Sequence, residues 1–188
     1  VGSDIYLISS EAIWLNDEIA WGLVSKFCSE YPGGYSLDKI TSKSGKVYIA
    51  GSLNDENKRF VAVIEGENVS FFDISSVLDE KQFSIKTLAV GNDSAIYVGG
   101  VVHNDHYNAL IVKLDDGVVS AIDMSQNLPD EALESVVYAL AVDADGKLYA
   151  SLEVDRKILL KKIDGNDMLS IEIPLPDNTT HSIINSIY

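Results

Sequence analysis

The sequence predicts an all-β fold made of repeated four-stranded units, and three observations carry that prediction. A short β-type run recurs four times, as "IYLIS" at 5–9, "VYIAG" at 47–51, "IYVGG" at 96–100 and "LYASL" at 148–152. Its tyrosines, Tyr6, Tyr48, Tyr97 and Tyr149, follow one another at steps of 42, 49 and 52 residues. The segments flanking each run also recur, alternating apolar stretches with Gly, Asp and Asn turns. Apolar runs of strand length bounded by such turns read as hairpins, not helices.

Upstream of the tyrosine, "SLDKITSKSGKVY" (36–48), "SIKTLAVGNDSAIY" (84–97) and "VVYALAVDADGKLY" (136–149) each give a strand, a turn and a second strand. Ser44-Gly45 and Asp145-Gly146 accept positive φ at little cost, which a tight turn requires. Downstream, "RFVAVIEGENVSFFDIS" (59–75), "ALIVKLDDGVVSAIDMS" (109–125) and "ILLKKIDGNDMLSIEI" (158–173) give a second hairpin. "AIWLNDEIAWGLV" (12–24) is a shorter fourth version with Asn16-Asp17 at its turn. No convincing amphipathic helix is present, and "PDEALESV" (129–136) offers one or two helical turns at most. Strands are expected near 47–53, 60–65, 96–102 and 109–114.

Four strands per unit at a period near 47 residues resembles the blade of a β-propeller, and the chain resembles β-propeller repeat proteins across essentially its whole length. The "DADGKLYASL" hairpin is similar to one that many bacterial propeller repeats carry between their inner strands. The Trp-Asp ending of WD repeats and the double-glycine, paired-aromatic pattern of kelch repeats are absent. The resemblance therefore stops at the superfamily and brings no functional residues with it. It implies one domain, 1–188, of four-stranded antiparallel blades at about 182–188 plus 1–34, 35–83, 84–134 and 135–181. "SIINSIY" (182–188) matches the first strand of a blade and "VGSDIYLIS" matches the turn and second strand that follow. The expectation is a ring closed by pairing the C-terminal strand into the N-terminal blade, with Ile183, Ile184 and Ile187 buried there. A fragment of a larger propeller is the alternative.

Composition narrows the function. Hydrophobic residues make up 46 % and charged residues 23 %, as in an ordinary folded protein. Against 14 basic residues stand 29 acidic ones, a net charge of −15, which repels polyanions and disfavours nucleic acid as a partner. No apolar run approaches the roughly 18 residues of a membrane span, so membrane insertion is not expected. The lone Cys28 excludes an intramolecular disulfide. The start at Val1 is read as either processing or a cut by design, and a secreted or periplasmic location is expected over a cytoplasmic one.

In a propeller the loops at one end of the sheets usually carry the ligand face. Here those are 51–59, 101–108, 75–83, 125–134 and 27–35. The first candidate within them is His103-Asn104-Asp105-His106-Tyr107, where two imidazoles flank an acid. Two loop histidines are an incomplete metal site, so no metal is assigned and His103, Asp105, His106 and Tyr107 are read as ligand contacts. Replacing both histidines with alanine is expected to change stability by no more than about 0.5 kcal/mol. Tyr31 and Tyr35 bracket Pro32-Gly33-Gly34 and form the second candidate, as exposed aromatics able to stack on a sugar or peptide. The many turn acids are explained by side-chain hydrogen bonds to the backbone. No nucleophile elbow, phosphate loop or dinucleotide fingerprint occurs, so no catalytic residue or cofactor is assigned. The expected function is a non-catalytic module engaging a protein or glycan, at one irregular site because the loops "GSLNDENKR" and "SLEVDRK" differ. The alternative is a lyase or hydrolase using His103, His106 and His181 at the mouth of the central channel.

Overall fold

Residues rich in Val, Ile, Tyr and Phe between turn residues pair into antiparallel meanders, because each strand meets the next through a short hairpin. The structure, a computed structural model, describes residues 6–8, 13–15, 18–19, 21–54, 58–78, 82–103, 106–125, 128, 134–165 and 167–171. The chain divides into two compact units, Val1–Glu80 and Lys81–Tyr188. In the first, β1 (Tyr6–Ile8), β2 (Ile13–Leu15) and β3 (Glu18–Ile19) form a three-stranded sheet, followed by helix α1 (Trp21–Glu30). A four-stranded sheet of β4 (Tyr35–Lys43), β5 (Lys46–Leu53), β6 (Arg59–Glu65) and β7 (Asn68–Asp73) completes that unit. The second unit holds two more four-stranded sheets. One is β8 (Gln82–Val90), β9 (Ile96–His103), β10 (Tyr107–Asp115) and β11 (Val118–Asp123). The other is β12 (Ser135–Val142), β13 (Leu148–Val154), β14 (Lys157–Asp164) and β15 (Asp167–Ile171).

Apart from α1 and the 3-10 turn at Ser75–Val77, the elements with described ranges are all antiparallel strand. The four expected strands fall on β5, β6, β9 and β10. One expectation needs correction. The segment 12–24 begins as the predicted hairpin, with Trp14 opposite Ile19 and Leu15 opposite Glu18, but from Trp21 it is helical. The reason lies in the spacing: Leu23, Phe27 and Tyr31 recur every four residues, and all three pack on the apolar face of the β4–β7 sheet. Pro32 then ends the helix, since its ring cannot continue it. The segment 182–188, on which ring closure was expected to rest, lies outside the described residues, as do 129–133.

Tight turns set the registers. Ser44 and Gly45 (φ 53° and 77°) and Asp116 and Gly117 (φ 48° and 79°) are the central pairs of two-residue hairpins. Both residues of each pair are left-handed, the geometry whose twist matches the strands. The longer loops 91–95 and 143–147 share another plan. In each, an aspartate accepts from the backbone, Ala95 N to Asp93 Oδ1 at 3.1 Å and Lys147 N to Asp143 Oδ1 at 2.9 Å. The Lys147 bond, with Tyr149 Oη donating to Asp143 Oδ2 at 3.1 Å and Asp145 N to Asp143 Oδ1 at 3.0 Å, holds the Asp143 carboxyl below the usual aspartate range. Three tyrosines of the recurrent run are thus structural: Tyr48 and Tyr97 are buried, and Tyr149 caps this loop, while the Tyr6 side chain lies outside the described residues.

The first strand of every four-stranded sheet carries a bulge at the same place. Register shifts lie between Leu37 and Lys39, between Ile85 and Thr87, and between Val137 and Ala139. A glycine stands opposite in two of the three. A Cβ at Gly51 would lie 2.3 Å from Ser36 O, and one at Gly100 would lie 2.1 Å from Ser84 O, so only glycine fits the unaltered backbone. Next to it, Gly99 faces β12. A Cβ there would meet Thr87 Cγ2, Val137 Cγ1 and Leu140 Cδ1 within 3.0 Å. The β12–β15 sheet packs on the β8–β11 sheet at this spot, and Leu140 N donates to Thr87 Oγ1 at 3.2 Å across the junction.

A second recurrent device ties down the outer strand. Ser75 N donates to Asp73 Oδ1 at 2.8 Å and Ser125 N to Asp123 Oδ1 at 2.9 Å, while the residues between, Ile74 and Met124, are fully buried. Their backbone N–H groups bond Arg59 O and Ala109 O, so the fourth strand is fastened to the third.

Replacing Gly100 with alanine is expected to cost about 1–3 kcal/mol, the usual range for overpacking a filled site. Urea unfolding measures it, and a cost below that range would show that the bulge relaxes around a methyl group.

Candidate functional site

The end of α1 and the start of β6 frame a cleft of about 510 Å³. Its outer wall is the turn after the helix. Tyr31 N still bonds Phe27 O at 2.8 Å, Gly34 N bonds Tyr31 O at 3.0 Å, and Gly34 takes φ 91°, a left-handed conformation suited to glycine. Asn54 N then donates to Gly34 O at 3.2 Å, which pins this turn to the end of β5. The opposite wall is Leu53, Lys58 and Arg59, with Leu53 N bonded to Lys58 O at 3.1 Å. Phe60, Phe71 and Asp73 supply the floor and far end.

The floor is aromatic. Tyr31 lies over Phe60 with centroids 4.8 Å apart and planes tilted by 31°, and meets Phe71 edge-on at 5.3 Å. Phe27 packs beneath, 4.9 Å from Phe71 and 5.9 Å from Phe60. Such edge and offset contacts add stability beyond burial alone, about 0.5–1.5 kcal/mol each. Phe60 and Phe27 are fully buried, whereas Tyr31 and Phe71 stay partly open to the cleft.

Charges of both signs ring this floor. Glu30 and Asp73 both act on the Tyr31 hydroxyl, and together with burial, the larger cause, they push its pKa up to about 12. Tyr31 is therefore a neutral phenol, able to donate, at any physiological pH. Burial lowers the pKa of Arg59, opposed by the Asp38 carboxylate. Even so, a guanidinium stays protonated there, because it starts from above 12. Its Nη1 donates to Lys58 O at 3.0 Å, and its backbone N donates to Ser75 Oγ at 2.7 Å.

Of the residues singled out in the sequence, Tyr31 lines this cleft. Tyr35 lies behind it, buried at the start of β4, with its ring 5.3 Å from Phe27 and its hydroxyl 3.9 Å from Cys28 Sγ. The other candidates belong to the second unit. His103 closes β9, where its Nε2 is 2.8 Å from Ser84 Oγ and its ring meets Tyr107 edge-on at 5.0 Å. His103 is thus half-buried and partnered, so its replacement removes more than a solvated loop side chain. His106 and Tyr107 are exposed. Asn104, Asp105 and His181 lie outside the described residues. Among the described residues, no three of His, Cys, Asp and Glu stand close enough to hold a metal ion. No described helix is long and apolar enough to cross a membrane.

Sequence reasoning singled out none of Glu30, Lys58, Arg59, Phe60, Phe71 and Asp73. The cleft nevertheless draws on two of the five loop segments expected at the ligand face, 27–35 and 51–59. Phe60 and Phe71 read as strand residues in "RFVAVI" and "VSFFD", and only the helix laid against them makes them a floor. No protein-family model matches the chain, and no curated protein matches it in sequence.

The raised pKa of Tyr31 has a direct readout. Phenolate absorbance should show one tyrosine ionising near pH 12 that disappears in Tyr31→Phe. Because its folded pKa lies above the unfolded value near 10, its contribution to stability is complete below pH 10 and falls as pH rises toward 12. A Tyr31 that ionises at pH 10 would show that the hydroxyl is fully hydrated.

Proposed function

We propose that this chain is a non-catalytic binding module of β-propeller type, which engages a protein or glycan ligand at the mouth of the aromatic cleft. The observation that carries the binding reading is the cleft itself. Its volume lies within the range of small-ligand sites, and its aromatic floor is rimmed by a few polar groups, the usual composition of such sites. Its rings are held by core packing, so a ligand would meet a preformed surface and lose little to reorganisation.

The propeller arrangement is supported by three things: the four-stranded meanders, the bulge that recurs at one position, and second strands buried on both faces. All of Ile96–Val102 in β9 and Val47–Gly51 in β5 are buried. Sheets stacked around an axis cover both faces of their inner strands in this way. A hydrolase reading draws on one observation, the Ser84–His103 hydrogen bond. A group to orient the imidazole from its other nitrogen is not among the described residues, so binding is preferred.

Two experiments test the reading. Spin labels at the equivalent strand ends Glu65, Asp115 and Asp164 should give two similar neighbour distances and a Glu65–Asp164 distance well below twice either one. A linear stack would give close to twice, and would remove the propeller. Separately, the chain should select ligands from displayed peptides or glycans, and Tyr31→Ala should abolish that selection in a chain that still unfolds cooperatively, at a stability lowered by the lost ring contacts. Selection indifferent to Tyr31, or no selection from either library, would overturn the cleft as the binding site.

A further inference from the structure

The chemistry of the cleft narrows its ligand. Its rim carries two acids, Glu30 and Asp73, and two bases, Lys58 and Arg59, so their formal charges cancel. An anionic ligand drawn to Lys58 and Arg59 would face both carboxylates, in a chain whose net charge is −15. A cationic ligand would be drawn by that net charge but would meet the ammonium and guanidinium at the same rim. Either charged class would bring one unfavourable contact for each favourable one. A ligand whose polar groups both donate and accept has no such conflict. Its hydroxyls can donate to Glu30 and Asp73 while accepting from Lys58, Arg59 and the Tyr31 phenol. These bonds involve charged partners and are the stronger kind.

The floor adds a second requirement. Tyr31 and Phe71 present partly open rings, so the ligand needs a flat apolar face of its own. A pyranose ring combines the two, with a C–H face on one side and hydroxyls at its edge. We infer that the cleft is a subsite for an uncharged sugar, stacked on the Tyr31 ring beside the perpendicular Phe71 ring and hydrogen-bonded by rim groups of both signs. This inference rests on the reading of the chain as a binding module and selects the glycan over the protein ligand.

The test uses the whole chain with five probes at millimolar concentration: cellotriose, maltotriose, mannotriose, trigalacturonate and trilysine. Aromatic proton resonances report contact, and titration gives affinity. The expected result is that at least one neutral trisaccharide shifts the Tyr31 ring. Its affinity should be nearly independent of salt, because no net charge is neutralised. Tyr31→Ala should weaken it roughly tenfold or more, and Tyr31→Phe, which keeps the ring, should weaken it less. Trilysine or trigalacturonate binding at Tyr31, with affinity falling as salt rises and no neutral sugar bound, would overturn the sugar assignment and leave the module reading intact. If no probe perturbs Tyr31, while displayed peptides still bind through it, the sugar assignment alone falls. Silence from both probes and peptides removes the module reading as well.

Discussion

Burial of the second strand on both of its faces is the constraint from which most of this structure follows. A strand covered on one side alternates apolar and polar residues, whereas a strand covered on both sides is apolar throughout. β9 is buried without a break from Ile96 to Val102. Neighbouring layers must then approach closely, and the positions of nearest approach become glycine, as at Gly99 beneath Thr87, Val137 and Leu140. The backbone of such a strand has no access to water, so the ladders on either side must satisfy it. That is why the second strand lies inside every four-stranded sheet and never at an edge. The outer strands are freed of this requirement, and β7 and β11 return to alternating exposure.

The first unit meets the same demand differently. The β4–β7 sheet has a face of Leu37, Ile49, Phe60 and Ala62 that needs a cover, and α1 provides it through Leu23 and Phe27, with Tyr31 just past its end. A helix is rounder than a sheet, so its end does not seal the sheet edge. Tyr31 and the Pro32-Gly33-Gly34 turn stand over Phe60 and Phe71, and a cleft opens between them and the start of β6. The candidate site is thus a by-product of covering a sheet with a helix.

This explains what the sequence made legible. Strands with period-two or continuous apolar runs, bounded by Ser44-Gly45, Asp116-Gly117 and Asp145-Gly146, are local signals, and they located β5, β6, β9 and β10 closely. The bulge was hidden, because it depends on which residue across the ladder is glycine, and "IAG" alone does not show that Gly51 lies over Ser36 O. Helix α1 was missed because "AIWLNDEIAWGLV" begins as a real hairpin. The four-residue spacing of Leu23, Phe27 and Tyr31 crosses into the segment read as a loop. Of the cleft only Tyr31 was foreseen, since Arg59, Phe60 and Phe71 belong to strands whose own pattern is that of a core. Their place in the cleft comes from what packs beside them.

The same packing decides which residues around this cleft the fold leaves free to vary. Phe27 and Phe60 are fully buried in the first unit's core, so truncating either removes a large side chain with little room to collapse, at about 3–5 kcal/mol. Against a domain stability of about 5–15 kcal/mol, such a loss removes from about a fifth to the whole of the margin. Phe71 sits between these roles, because it faces the cleft on one side and Phe27 on the other. Tyr31 is different: half-exposed at the rim, it rests on the floor without filling it. A surface built this way is rigid where it touches the core and open to variation at its edge. Substitution is therefore cheapest at Tyr31 and the charged rim, while the floor is held in place by the demands of the fold.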